Sequence, residues 1–251
     1  ARGAAMAGRE DGRAGSQVRA LSAACGVLSR SDGSCRFQLA ADGSAVVAAV
    51  FGPIDETAIS KERADRARVQ VTVLNAAPMQ EEDLNVASAG NAGQSRDPNA
   101  ERILTGVLEQ VIRTRLHPRK LINVTVQVIN DAGSLLACAL LACSGALLDA
   151  GIDMTGVPSA ACCAIEEDGK VLADPTKAEE AAAGHVFCCT GADGGKVLAL
   201  QTRGVLSREV LDESLDLATN ACTAARAFLR MSFNQTAAQQ LAAKPLPPAT
   251  N

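Results

Sequence analysis

A chain of 251 residues can fold as one large domain or two small ones. With 47% hydrophobic residues but only 2% aromatic ones, and no Trp or Tyr, its core must be aliphatic. A formal net charge of −4 excludes a global electrostatic footprint for nucleic acid. The shortage of rings also removes the stacking platforms that hold single strands, so any RNA contact must be local.

The elements follow in chain order. Residues Ala1 to Gly8 are small and featureless and are expected to form a flexible arm. Ser34 to Pro53 reads as two short strands joined at Ala41-Asp42-Gly43-Ser44, and Val69 to Leu74 alternates as another strand. Residues 79–98 are polar and turn-rich, which predicts an exposed, mobile loop. From Ala100 to Leu116, apolar residues at 103, 104, 107, 108, 111 and 112 predict an amphipathic helix ended by Pro118.

Asn123 to Ile129 is β-branched and alternating, a strand by composition, and Asn130-Asp131-Ala132-Gly133 supplies a turn. Ser134 stands where an N-cap belongs, ahead of an Ala-rich run with no charge until Asp149. That run is shorter than the ~20 residues that cross a bilayer, so it reads as a helix packed on several sides and not as a membrane span. Two hairpins follow, Ala160–Ile165 with Lys170–Ala173 and Val186–Thr190 with Val197–Gln201. A long helix starts near Ser207 and runs to about Phe233 or beyond, and residues 241–251 read as a flexible tail.

Each half opens with hairpins and closes with a helix. That order predicts an α+β fold on a mixed or antiparallel sheet, a single domain over residues 9–240, and not a strict βαβ alternation. The nine cysteines are odd in number and lie mostly in apolar runs, with no CxxC spacing. Adjacent cysteines, Cys162-Cys163 and Cys188-Cys189, point to opposite faces of a strand and cannot share a metal there. Buried small hydrophobes in a reducing compartment is the expectation. Neither a metal-ligand spacing nor a nucleophile elbow occurs, and no metal or cofactor is expected.

One feature carries chemistry. A loop feeding a helix N-terminus gathers free backbone N–H groups and the positive end of the helix dipole, so residues 130–135 are a candidate phosphate cradle.

Several motifs occur in order: Arg9-Glu10-Asp11-Gly12-Arg13, Gly43-Ser44 followed by AVVAAVFGP, Leu116-His117-Pro118-Arg119, Asp131-Ala132-Gly133-Ser134-Leu135-Leu136, and Ala173-Asp174-Pro175-Thr176. Together they resemble the RNase PH family from Arg9 to about Phe233. LHPR and DAGSLLACAL are most similar to the eukaryotic RNA exosome core ring subunits of the component five type. The resemblance implies an RNase PH fold, two stacked β-α halves related by a pseudo-repeat, of the ribosomal protein S5 domain 2 type. It implies a six-subunit ring threaded by RNA, whose active members trim RNA from the 3′ end with inorganic phosphate as nucleophile. It further implies other RNase PH-type ring subunits (component eight in particular), S1/KH cap proteins and RNA as partners, and a homodimer when the chain is isolated. Location in nucleus, nucleolus and cytoplasm, and no membrane partner, follow from the same resemblance.

The family's site residues transfer only in part. Gly133 and Ser134 match the phosphate loop, but Leu135 stands where active members carry an arginine. Matching from Asp174 puts Glu180 at the first catalytic acid and Val186 at the second, with His185 beside it. Ala77-Pro78 lacks the basic residue before the loop, and Thr105 replaces an arginine on the amphipathic helix. Glu179 and Glu180 otherwise read as a solvated face. Arg113, Arg115, Arg119 and Lys120, around His117, are the remaining candidates for RNA contact, with surface solvation or subunit contact as the plainer reading. The expectation is a structural subunit without phosphorolysis. Its rival is a phosphate-independent hydrolytic nuclease acting alone or as a homodimer, in which Glu179 or Glu180, with His185 and optionally a divalent metal, activates water.

Overall fold

The computed structural model describes residues 9, 12–56, 63–76, 94–166, 168–182, 184–191, 196–204 and 206–243. The expected arm 1–8, most of the expected loop and the end of the tail lie outside them. Among the described residues, ten strands run β1 Leu21–Cys25, β2 Gly33–Leu39, β3 Ala45–Asp55, β4 Arg68–Ala76, β5 Gln94–Arg96, β6 Lys120–Asn130, β7 Ser159–Ile165, β8 Val171–Ala173, β9 Gly184–Thr190 and β10 Val197–Arg203. The helices are α1 Pro98–Val111, α2 Leu135–Asp149, α3 Lys177–Ala182 and α4 Arg208–Ala243.

The strands form two sheets, one ordered β1-β2-β3-β6-β4-β5 and one ordered β10-β9-β7-β8. The first is mixed: β6 runs antiparallel to β3 and parallel to β4, with α1 as the crossover between them. The second is antiparallel throughout. Along β6, Ile122, Val124, Val126 and Val128 are buried while their neighbours are half-exposed, the period-two pattern of a strand with one core face.

Helix α2 decides the layering. Every residue from Ala137 to Leu147 is buried. The helix packs on β2 and β3 of the first sheet and on β7 of the second, with α4 also in contact. Its small residues allow that approach. Gly33 on β2 faces the helix end so closely that a Cβ there would stand 2.3 Å from the Ala150 amide nitrogen. Ser144, uncovered by any solvent, donates its hydroxyl to the Leu140 and Pro158 carbonyls.

Three expectations need correction. Residues 94–98 are not loop, because Gln94–Arg96 pair with β4 and Pro98 opens α1. Asp97 caps that helix, its side chain accepting from the Asn99 and Ala100 amides. The helix also ends earlier than Leu116: Ile112 is extended and bridges to Met154, and Thr114–Leu116 is a separate 3₁₀ turn. Residues 241–243, expected in the flexible tail, belong to helix α4, which runs on to Ala243.

The two glycines that touch these helices should respond oppositely to a methyl group. Gly106, inside α1, has open space around a Cβ, and Gly106→Ala should stabilise by about 0.5–1 kcal/mol. Gly33→Ala should destabilise by about 1–3 kcal/mol through overpacking against backbone. Urea denaturation of both variants checks the pair, and equal effects would contradict the packing described.

Candidate functional site

The loop that opens α2 is strained where it meets the second half of the chain. Gly133 has φ +98°, and a Cβ on it would lie 2.5 Å from the Pro175 carbonyl oxygen. Both facts require glycine there. Ser134 is also left-handed, at φ 56°. The expected side-chain cap is absent: the Ser134 hydroxyl donates instead to the Pro175 carbonyl at 3.2 Å.

The backbone amide of Ser134 has a different partner. It donates to Glu180 Oε1 at 2.6 Å, across 46 residues of sequence. Helix α3 carries Glu180 to this point, and Thr176 and Lys177 stack directly on Gly133. An anion therefore sits at the N-terminus of α2, as the dipole favours, and that anion is the protein's own carboxylate. Burial raises the Glu180 carboxyl above its ordinary range, opposed by the Ser134 amide and reinforced by the charge of Asp131.

Beside it lies a pocket of about 250 Å³ bordered by Asp97, Asp131, Leu135, Cys162 and Glu180, with neither Lys nor Arg in its lining. Leu135, the first residue of α2, is half-buried in this wall. Val186 is fully buried on β9, within the core between the second sheet and α4, and reaches no solvent. His185 pairs through its backbone with Ala164 and Arg203, and its side chain lies outside the described part. Among the described residues, no group of three or more His, Cys, Asp or Glu is placed to hold a metal.

The solvated face expected for Glu179 and Glu180 is wrong. Glu179 takes a two-point grip from Arg9, Nε to Oε1 at 3.0 Å and Nη2 to Oε2 at 2.8 Å, and also accepts from the Thr176 amide. Burial acts to raise the Glu179 carboxyl, but Arg9 and that amide outweigh it and hold the group below its ordinary range. Lys177 in turn pairs with Asp131 at 2.8 Å.

Sequence reading missed the pair that ties the site together. Arg19 donates to Asp174 Oδ1 at 2.6 Å through Nη2 and to Oδ2 at 2.8 Å through Nε, and its backbone amide adds a third bond. The same guanidinium reaches the carbonyls of Ala132, Gly133 and Pro175. Arg13 and Arg9 donate to the Asp174 carbonyl, so the arginines of the REDGR motif serve internal contacts. The available signal was a lone arginine in the apolar run Val18-Arg19-Ala20-Leu21, which only a buried acid could accommodate.

The basic cluster does not join this site. Arg113, Arg115 and Arg119 are exposed, and Lys120 pairs with Asp55. They gather at the start of β6, whereas the cradle follows its end, a strand length of ~36 Å away for eleven residues. His117 closes the 3₁₀ turn, its amide donating to the Thr114 carbonyl. Thr105 donates its hydroxyl to the Glu101 carbonyl within α1. No helix of the described residues is long and apolar enough to cross a membrane.

Burial works to raise the Asp174 carboxyl, but Arg19 overrides it and the group ionises at lower pH folded than unfolded. Its stabilising contribution is thus complete above the ordinary aspartate value of ~3.9 and fades as pH falls through the lower folded value. Asp174→Asn should keep the left-handed backbone (φ 50°) yet cost about 3–5 kcal/mol at neutral pH, because Arg19 is left buried without its counter-charge. Denaturation across a pH series should also show a shallower acid limb in this variant.

The fold has counterparts among known proteins. Residues 17–153 match the RNase PH model described as the 3′ exoribonuclease family, domain 1. The chain is similar to the exosome complex exonuclease RRP46 homolog of Arabidopsis thaliana, 33% identical over 68% of this chain and 65% of that protein, so it spans just under two thirds of that relative. It is 34% identical to the exosome complex component Rrp41 of Methanopyrus kandleri, over 85% of this chain and 87% of that one. Among solved structures, rice (Oryza sativa) Rrp46 superposes with a TM-score of 0.77 at 27% identity, covering 90% of this chain and all of the other. The fold and the motifs converge, and the chain belongs to the RNase PH 3′ exoribonuclease family.

Proposed function

We propose that the chain is a non-catalytic ring subunit of an RNA exosome, supporting 3′-to-5′ RNA processing and helping to line the RNA channel. The observation that carries this reading is the Ser134 amide bound to Glu180 at 2.6 Å, beside a pocket whose lining holds carboxylates and Leu135 but no cation. Inorganic phosphate approaching the N-terminus of α2 would meet an occupied amide and like charge. The missing arginine removes charged hydrogen bonds of ~1.5–3 kcal/mol each, which weakens phosphate binding by about two to three orders of magnitude. Val186 supplies no carboxylate for a second acid.

Relatives named as exosome components support the ring assignment. The proposed partners are other RNase PH-type subunits, component eight in particular, together with S1/KH cap proteins and RNA. The proposed locations are nucleus, nucleolus and cytoplasm. Arg113, Arg115, Arg119 and Lys120 are proposed as RNA or subunit contacts because three of the four are exposed.

A second reading rests on Glu180 itself. A carboxyl held above its ordinary range and bordering a pocket is suited to act as a general base, which fits a phosphate-independent hydrolytic nuclease working as a free homodimer. Against it stands the Ser134 amide, which occupies one of the two carboxylate oxygens.

Three measurements test these readings. Purified chain incubated with RNA and phosphate should release no nucleoside diphosphate, and Leu135→Arg alone should not restore release, since the second acid is still absent. Magnesium-dependent cleavage without phosphate, lost in Glu180→Gln, would favour the nuclease. Co-expression with RNase PH-type partners should instead yield one stable heteromeric ring.

A further inference from the structure

Eight of the nine cysteines are buried, and Cys25 is the exception, half-exposed at the end of the outermost strand of the first sheet. It lies directly across from Cys35 in the antiparallel β1–β2 ladder. The next pair along, Gly26 and Ser34, is joined by a hydrogen bond from the Gly26 amide to the Ser34 carbonyl at 2.9 Å. Bonded and non-bonded pairs alternate in such a ladder, so Cys25 and Cys35 occupy a non-bonded pair, where the Cα atoms approach to about 4.5 Å. That spacing falls inside the range of about 4.4–6.8 Å that a disulfide spans.

The side chains point to one spot. A Cβ built on Gly145 of α2 would stand 2.5 Å from Cys35 Sγ and 3.9 Å from Cys25 Sγ, so both sulfurs converge over this glycine. The absence of a side chain there is what leaves room for them. We propose that Cys25 and Cys35 are a peroxide-sensitive dithiol that closes to an intramolecular disulfide between β1 and β2.

The chemistry balances with hydrogen peroxide as oxidant. The Cys25 thiol gives up its proton, the thiolate attacks one peroxide oxygen, the O–O bond breaks, and the leaving hydroxide takes up that proton, so a sulfenic acid and water form. The Cys35 sulfur then attacks Cys25 Sγ, the S–O bond breaks, and a second water leaves with the Cys35 proton. The sum is two thiols and one peroxide giving one disulfide and two waters. Cys25 is the attacking group because it is the accessible one. The hydrogen bond from Cys35 also lowers its thiol below the ordinary value, against burial and the charge of Asp149. Cys35 is shifted upward, first by that same hydrogen bond and then by burial, and serves as the resolving thiol.

Trypsin makes the test direct, because Arg19, Arg30 and Arg36 place the two cysteines on separate peptides, 20–30 and 31–36. The full chain treated with dilute peroxide should lose the mass of two hydrogens and yield these two peptides linked, with the link reversed by reductant. Cys25→Ser, at a half-exposed position, should fold normally and leave Cys35 open to alkylation after unfolding. Formation of sulfinic acid on Cys25 with Cys35 still a free thiol would overturn the proposal. So would an unmodified Cys25, or a link that joins either residue to a different cysteine.

Discussion

A helix without a polar face must be covered from every side, and that requirement shapes this molecule. Helix α2 holds eleven consecutive buried residues, so one sheet cannot suffice. The first sheet covers it through β2 and β3, and the second through β7, with α4 closing another side. Because its residues are mostly Ala, Cys, Ser and Gly, the covering strands come close. Gly33 and Gly145 mark where backbone or sulfur would collide with any added carbon. The aliphatic composition is the consequence: the core is filled by many small side chains, with Phe37 and Phe187 the only aromatic residues among its fully buried large ones.

The same packing fixes the site. The end of α2 that meets the second half of the chain presents backbone amides and carbonyls in a place where water is scarce, and these must be satisfied. Arg19, Asp174 and Glu180 do this together. Arg19 gathers the carbonyls of Ala132, Gly133 and Pro175, Asp174 neutralises Arg19, and Glu180 takes the Ser134 amide. Removing any one leaves a buried charge or an unmet donor.

The sequence disclosed the frame better than the joints. The strands around Ser34–Pro53, the strand at Asn123 and the buried helix all follow from alternation, turn residues and a run free of charge. The ordered motifs carried the family. Strand β1 was invisible because its edge position leaves it half-exposed and its residues, LSAAC, have little β preference. Helix α1 ended early because Ile112 turns to bridge Met154, a tertiary pairing that helical spacing cannot anticipate. Glu180 was misread for a similar reason: two acids beside a lysine look solvated until the chain folds and brings Ser134 to one and Arg9 to the other. The cap at Ser134 failed because its left-handed backbone turns the hydroxyl toward Pro175, away from the first turn.

The Glu180 contact explains how the N-terminus of α2 is satisfied with an apolar residue, Leu135, opening the helix. A cradle built for an external anion leaves donors unmet when the anion is gone, at a cost of about 1–3 kcal/mol for each buried group. Glu180 removes that cost from within. Glu180 occupies the Ser134 amide, Lys177 is paired with Asp131 beside it, and burial holds the Glu180 proton more tightly than usual. The loop, its glycine and the dipole thus serve a structural contact that needs no phosphate. The geometry at the N-terminus of α2 that suits an external anion also suits a side chain of the protein.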